Sequence, residues 1–177
     1  AIARGRTDTW THDPTLIDAA RAAAEGKSGR EATAAMEAVL RDPARRDPYA
    51  YLIPADQPEI GNALDFLDAM RISGIEIWRA TAAFEHEGTR YAAGTFVIPA
   101  AQAFRPHVLD MFEPQDHPTD LQYPGGPPKA PYDNAGWTMA MQMGFRFDRA
   151  MSEVTGPLEE VTALHVTPRP VAFDRGA

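Results

Sequence analysis

The sequence predicts an α/β fold, in which a small mixed sheet is flanked by helices, preceded by an N-terminal helical hairpin and overlaid by a long proline-rich loop. Three observations carry this reading. Alanine-rich stretches with capping residues fill positions 13–40. Short β-branched and aromatic runs surround one helical period between positions 49 and 98. Prolines crowd positions 114–131.

Asp13 followed by Pro14 reads as an N-cap with proline at the first helical position, and the stretch to Glu25 is alanine-rich before Gly26 stops it. Ser28 and Glu31 stand at capping-box spacing ahead of a second helix, where Ala32, Ala35, Met36, Val39 and Leu40 share one face. Small alanines let two axes approach closely, so a hairpin across Gly26 and Lys27 is expected. The run from Asp42 to Pro48 is charged and punctuated by prolines, each of which drives the residue before it out of helical space. A boundary is placed there, giving an N-terminal helical segment over 1–47 and an α/β domain over 48–177.

Tyr49 to Ile53 is a short apolar run closed by Pro54, as suits a buried strand. Gln57 and Pro58 open a helix through Ile72, with Ile60, Ala63, Leu64, Leu67 and Met70 along one side and Gly74 at its end. Ile75 to Arg79 alternates as a half-buried strand does. Strand, helix and strand in that order predict a right-handed crossover and a parallel pair. Phe84 to Gly88 and Tyr91 to Ile98 read as two arms of a hairpin turning at Glu87 and Gly88. Arg105 to Phe112 makes a short helix with Pro106 in its first turn. Prolines at 114, 118, 124, 127, 128 and 131 exclude a central strand or a long helix between Glu113 and Asn134, leaving an extended loop. Gly136 to Phe147 is methionine-rich and expected to be helical, and Val161 to Val166 is expected to be a last strand.

A chain of 177 residues with 44% hydrophobic content forms one domain, with or without an appended subdomain. Its formal charge of −8 opposes nucleic acid and anionic membrane surfaces as partners. There are no cysteines, hence no disulfide and no thiolate metal site. No stretch approaches the roughly 18 apolar residues of a membrane span, so membrane insertion is not expected. The opening from Ala1 to Thr11 has no initiator methionine and is polar, which is read as the mark of a longer parent chain.

Among chemistry-bearing residues, Asp110, Glu113, Asp116, His117 and Asp120 gather carboxylates and an imidazole within a short span. Pro114 and Pro118 prevent helical convergence of these groups, so a solvated acidic loop is the simpler reading and a metal at Asp116 and His117 the sharper one. His86 reads as a strand-surface histidine. Tyr123 to Pro128 holds two glycines followed by prolines, which lack the N–H donors of a phosphate cradle. Arg105 with Gln102, and Asp56 with Gln57, stand where the carboxyl ends of strands usually meet ligands. Tyr132, Trp137 and Phe145 are aromatics beside a rigid proline loop, suited either to a recognition face or to the core. Ser28, Ser73 and Ser152 lack a nucleophile elbow.

Several separated blocks carry a resemblance. They are Arg4-Gly-Arg-Thr-Asp-Thr-Trp-Thr, Asp47-Pro-Tyr-Ala-Tyr-Leu-Ile-Pro-Ala-Asp-Gln, Tyr91-Ala-Ala-Gly-Thr-Phe-Val-Ile, Ala103-Phe-Arg-Pro-His-Val-Leu-Asp-Met-Phe-Glu-Pro-Gln, Tyr123-Pro-Gly-Gly-Pro-Pro and Pro131-Tyr-Asp-Asn-Ala-Gly-Trp-Thr. In this order they resemble the region downstream of the catalytic domain in large bacterial zinc carboxypeptidases, the carboxypeptidase A-like metallopeptidases. The resemblance implies a parent enzyme that hydrolyses C-terminal peptide bonds with a zinc-bound water and is exported, so a periplasmic or secreted location is expected.

Such enzymes hold zinc with a His-x-x-Glu pair and a later histidine. The five histidines here, His12, His86, His107, His117 and His165, form no such pair. No catalytic residue and no metal ligand is therefore assigned to this segment, and zinc is expected in a catalytic domain outside it. The expected role is that of an accessory domain, structural or shaping substrate access, with that catalytic domain as its partner and Arg105, Tyr132, Asp133 and Trp137 at the contact. The alternative is an independent peptide or small-ligand module that uses the loop over 123–137.

Overall fold

The computed structural model describes residues 1–58, 60–114, 120–130 and 138–164. A 3-10 turn over Ile2–Arg6 leads into helix α1 (Pro14–Ala24) and helix α2 (Gly29–Leu40). Asp13 caps α1 by accepting from the Leu16 N–H at 2.6 Å, as its position before Pro14 requires. In α2 the expected face, Ala32, Ala35, Met36, Val39 and Leu40, is the half-buried one, while the intervening positions are exposed. The capping box does not form, because the Ser28 side chain makes no cap hydrogen bond.

Beyond a 3-10 turn at Pro43–Arg45 come β1 (Ala50–Ile53), α3 (Ile60–Ile72) and β2 (Trp78–Ala80). Helix α3 stops at Gly74, where the Ile75 N–H bonds back to the Met70 carbonyl. Two short strands, β3 (Phe84–His86) and β4 (Thr89–Tyr91), form a hairpin of their own. Then follow β5 (Phe96–Pro99), α4 (Arg105–Phe112), a single turn α5 (Met139–Gln142), β6 (Asp148–Ala150) and β7 (Leu158–Glu160).

The α/β class, the helical N-terminus and the sheet with its helices stand as the sequence predicts. The pairing does not. The main sheet runs β6-β1-β5-β2-β7, and every pair in it is antiparallel. Strands β1 and β2 do point the same way across α3, but β5 lies between them and pairs with both. The expected parallel neighbours are therefore split. The same happens once more, since β5 and β6 are parallel across α4 with β1 between them. Two interlocked split β-α-β units give the connectivity of a ferredoxin-like sandwich, with β7 added on the β2 edge.

Three further assignments, two of strands and one of a helix, also shift. Tyr91 to Ile98 is two strands, because only β4 pairs with β3 while β5 joins the main sheet. The helix expected over Gly136 to Phe147 is confined, among its described residues, to α5, and β6 follows it. Among the described residues the last strand is β7; Val161 to Leu164, the described part of the strand expected over Val161 to Val166, is not strand, and 165–166 lie outside the described residues.

Helices cover one sheet face. Tyr51, Ile53, Phe96 and Ile98 pack there against Phe66, Leu67 and Met70 of α3 and Val108 and Phe112 of α4. Phe112 is the hub: its ring stacks on Tyr51 at 4.1 Å and meets Phe66 and Phe147 edge-on, each at 5.1 Å. On the opposite face Leu52, Ala80, Val97 and Ala150 lie under the β3–β4 hairpin, whose Phe84 and Tyr91 rings stack at 5.3 Å.

The hairpin turns at Glu87 and Gly88, both with positive φ (48° and 77°), the requirement of the tight turn that matches strand twist. The Glu87 carboxylate then accepts from the Ser152 hydroxyl at 2.6 Å and from the Met151 N–H at 3.3 Å, which clamps the hairpin over the sheet. His86 is buried rather than on the strand surface, with Nε2 3.5 Å from Glu87 Oε1.

Two outcomes follow for measurement. Replacing Phe112 by Ala removes a buried ring with three aromatic neighbours and lowers stability by about 3–5 kcal/mol in urea denaturation. At the clamp, desolvation raises the Glu87 carboxyl, but the bonds from Ser152 and Met151 and the nearby His86 outweigh it and leave its pKa below the usual carboxylate value. A depressed pKa in the folded state gives stabilisation that is present above the unfolded value of about 4.3 and lost as pH falls through the lower, folded one. The exchange protection of the Met151 amide therefore falls across that acid window, and in Glu87→Gln it does not.

Candidate functional site

The polar centre of the molecule is built from three distant stretches. Asp47, at the end of the connector, is buried, and its carboxylate accepts from the Thr11 N–H (3.0 Å), the Thr11 hydroxyl (3.0 Å) and the Thr9 hydroxyl (3.2 Å). Arg105, the first residue of α4, completes the set through Nη2 at 2.8 Å from Asp47 Oδ2 and 2.8 Å from Thr9 Oγ1. The two charged side chains are 10% and 7% exposed. Taking them from water is costly, and the bonds to Thr9, Thr11 and each other offset part of that cost, while Arg105 Nε is buried without a hydrogen-bond partner among the described residues. Trp10, between the two threonines, donates to the Asp42 carbonyl at 2.9 Å, and the Asp47 N–H bonds to the Thr9 carbonyl at 2.9 Å.

Next to this pair a cleft of about 420 Å³ opens between the start of α1 and the end of α4, lined by His12, Arg45, Asp47, Asp110, Glu113 and Arg149 among others. At its wall the Tyr51 hydroxyl donates to Glu113 Oε1 at 2.7 Å, and Arg149 Nε lies 2.9 Å from the same oxygen. Burial first, and then the Glu113 charge and bond, raise the Tyr51 pKa, so the phenol stays a donor. Partial desolvation raises the Asp110 carboxyl, and His107 opposes the shift. His12 Nε2 lies 3.2 Å from the Leu40 carbonyl, tying the cleft rim to α2.

These groups form a structural network. Asp47 accepts from Thr9, Thr11 and Arg105, and Glu113 accepts from Tyr51 and pairs with Arg149, so both carboxylates face donors held by the fold. Among the described residues no three His, Asp or Glu side chains converge as a metal ligand set. No helix among them is long and apolar enough to cross a membrane.

Of the residues singled out in the sequence, Arg105 is turned inward to Asp47. Tyr132, Asp133 and Trp137 lie outside the described residues, as do Asp116 and His117. Asp120 pairs with Lys129 at 2.9 Å on the surface. Gln57 locks to the backbone of Arg146 through both ends of its amide, and Gln102 bridges Glu76 and Pro99. Phe145 belongs to the core. The residues that complete the network, Thr9, Thr11, Asp47, Tyr51 and Arg149, carry no local signal; Asp47 precedes a proline, but so do Asp13, Asp42 and Glu113.

Comparison of the chain with protein-family models, with curated proteins and with solved structures finds no match.

Removing one partner of the buried pair leaves the other charged and partly unbonded. Arg105→Met is expected to cost about 3–5 kcal/mol, and combining it with Asp47→Asn recovers part of that loss. A double-mutant cycle in urea reads the coupling.

Proposed function

We propose that this chain is a non-catalytic accessory domain of a zinc carboxypeptidase-like metallopeptidase that hydrolyses C-terminal peptide bonds. In this reading the zinc belongs to a catalytic domain of the same polypeptide, the segment has a structural or substrate-access role, and the protein works in the periplasm or after secretion. One observation carries the reading: residues from three separated blocks of the resemblance meet in the polar centre. Thr9 and Thr11 come from the first block, Asp47 and Tyr51 from the second, and Arg105 and Glu113 from the block at Ala103. Blocks far apart in sequence that hold one another in space are what a shared fold requires. The charged groups of the network bond to each other, which suits a framework better than a reaction centre.

A second reading, a peptide or small-ligand module on the loop over 123–137, has support in the described part of that loop. Asp120–Lys129 closes a small turn in which Gln122 N–H bonds to the Pro127 carbonyl, and Tyr123 stands 62% exposed at its tip.

Calorimetric titration of the 177-residue chain with zinc is expected to give no stoichiometric uptake, and the chain alone to release no C-terminal amino acid. One-to-one uptake together with chelator-sensitive release would overturn the accessory reading.

A further inference from the structure

The β3–β4 hairpin covers the sheet face opposite the helices without joining it. Its two strands form a sheet of their own, and among the described residues no backbone hydrogen bond of β3 or β4 reaches the five-stranded one. Three side-chain bonds tie it down: Glu87 to the Ser152 hydroxyl at 2.6 Å and to the Met151 N–H at 3.3 Å, and the Tyr91 hydroxyl to Asp148 Oδ2 at 3.1 Å. Below it Leu52, Val97 and Ala150 supply an apolar floor. Beside it that floor continues into an open cleft of about 650 Å³, lined by Ala50, Val97 and Leu158 among others.

The legs of the hairpin have little packing to lose. Ala82 and Ala83 lead in, Ala92 and Ala93 lead out, and all four are exposed. Just beyond them the chain is pinned to the main sheet, since the Thr81 N–H bonds to the Pro157 carbonyl at 2.8 Å and the Gly94 N–H to the Ala80 carbonyl at 2.7 Å. The mobile part is therefore bounded on both sides.

The closed position leaves polar groups uncompensated. Four buried side-chain N or O atoms have no hydrogen-bond partner among the described residues, and two of them, the Nε of Arg46 and Arg105, belong to guanidinium groups bonded through Nη. The other two are His86 Nε2 in β3 and Thr95 Oγ1 at the end of the outgoing leg. His86 Nε2 is 3.5 Å from Glu87 Oε1 and makes no hydrogen bond with it. Thr95 stands two positions before Val97, so strand alternation sets it on the hairpin face. A buried polar atom without a partner disfavours the state that buries it, and water restores its bonds when the cover lifts.

We propose that the β3–β4 hairpin is a lid, which detaches from the sheet as one unit between Thr81 and Gly94 while the helices stay packed on the other face. Its opening uncovers Leu52, Val97 and Ala150 and merges them with the cleft. A two-stranded hairpin has little stability of its own in water, so the lifted segment is locally unfolded. The inference goes beyond the accessory-domain reading and does not rest on it.

The chain has no cysteine, so a single introduced thiol reports on a single place. Ala150→Cys sets one under the hairpin and Ala63→Cys sets one beneath the helices, at positions 1% and 0% exposed. Reaction with an aromatic disulfide is timed in urea well below the unfolding midpoint. The thiol at position 150 is expected to react faster, at a rate that urea scarcely changes, and that at position 63 only at the steeply urea-dependent rate of global unfolding. Added to Ala150→Cys, Ser152→Ala speeds the reaction about tenfold by removing a bond to a carboxylate, and Thr95→Val slows it about tenfold by removing the unbonded hydroxyl. Val108→Ala, in the helix-side core, speeds the reaction at 63 and leaves that at 150 unchanged, because the open state keeps its packing. In the unaltered chain the Met151 amide exchanges faster than the amides of β5, which checks the order without a thiol. Equal rates and urea dependence at the two positions, no response to Ser152→Ala or Thr95→Val, or equal acceleration of both by Val108→Ala would sink the proposal. So would reaction at 150 as fast as in the unfolded chain, since nothing would then be closed. These readouts involve neither zinc nor peptidase activity, so their failure leaves the accessory-domain reading standing, and the reverse holds.

Discussion

The buried contact between Asp47 and Arg105 organises this molecule. It joins the N-terminal segment at Thr9 and Thr11, the connector, and the first turn of α4 at one point. A charge pair so deep gains little net energy over an apolar substitute, but it tolerates only one arrangement of its donors. Its main effect is therefore on register. The far end of α4 is held as firmly, because Glu113, the residue that ends it, takes the Tyr51 hydroxyl from the central sheet and Arg149 from β6. A helix of two turns is thus fixed at both ends by polar bonds and along its length by Phe112.

Local chemistry made much of the fold readable. Asp13 before Pro14, the five-residue face of α2, Gly74 after α3 and Pro106 in α4 each act within a turn or two of themselves, and each element formed where those signals lie. What depends on distant partners was not readable. Nothing in Phe96 to Pro99 says that it will enter between β1 and β2, because an antiparallel neighbour and a parallel one bury the same residues. Strand β6 escaped for a related reason. Asp148, Arg149 and Ala150 have no apolar alternation, and their strand character comes from pairing with β1.

The polar centre follows the same rule. Arg105 stood out in the sequence as a residue for an exposed contact, and the structure sets it against an aspartate 58 positions away. Spacing carries no information over that range. By contrast, the Glu87 and Gly88 turn was legible, since two successive positive φ angles leave few residue choices. The molecule therefore presents two different faces of one sheet: helices sealed by aromatic packing on one, and a clamped hairpin with an open slot on the other.

The position of β5 bears on how the chain comes together during synthesis. Both of its neighbours that precede it, β1 and β2, must wait until residues 96–99 arrive, holding unmatched N–H and carbonyl groups in the meantime. Fragments that stop short of Phe96 keep those edges open and are sticky for other chains. The smallest autonomous piece of this sheet must reach past that strand.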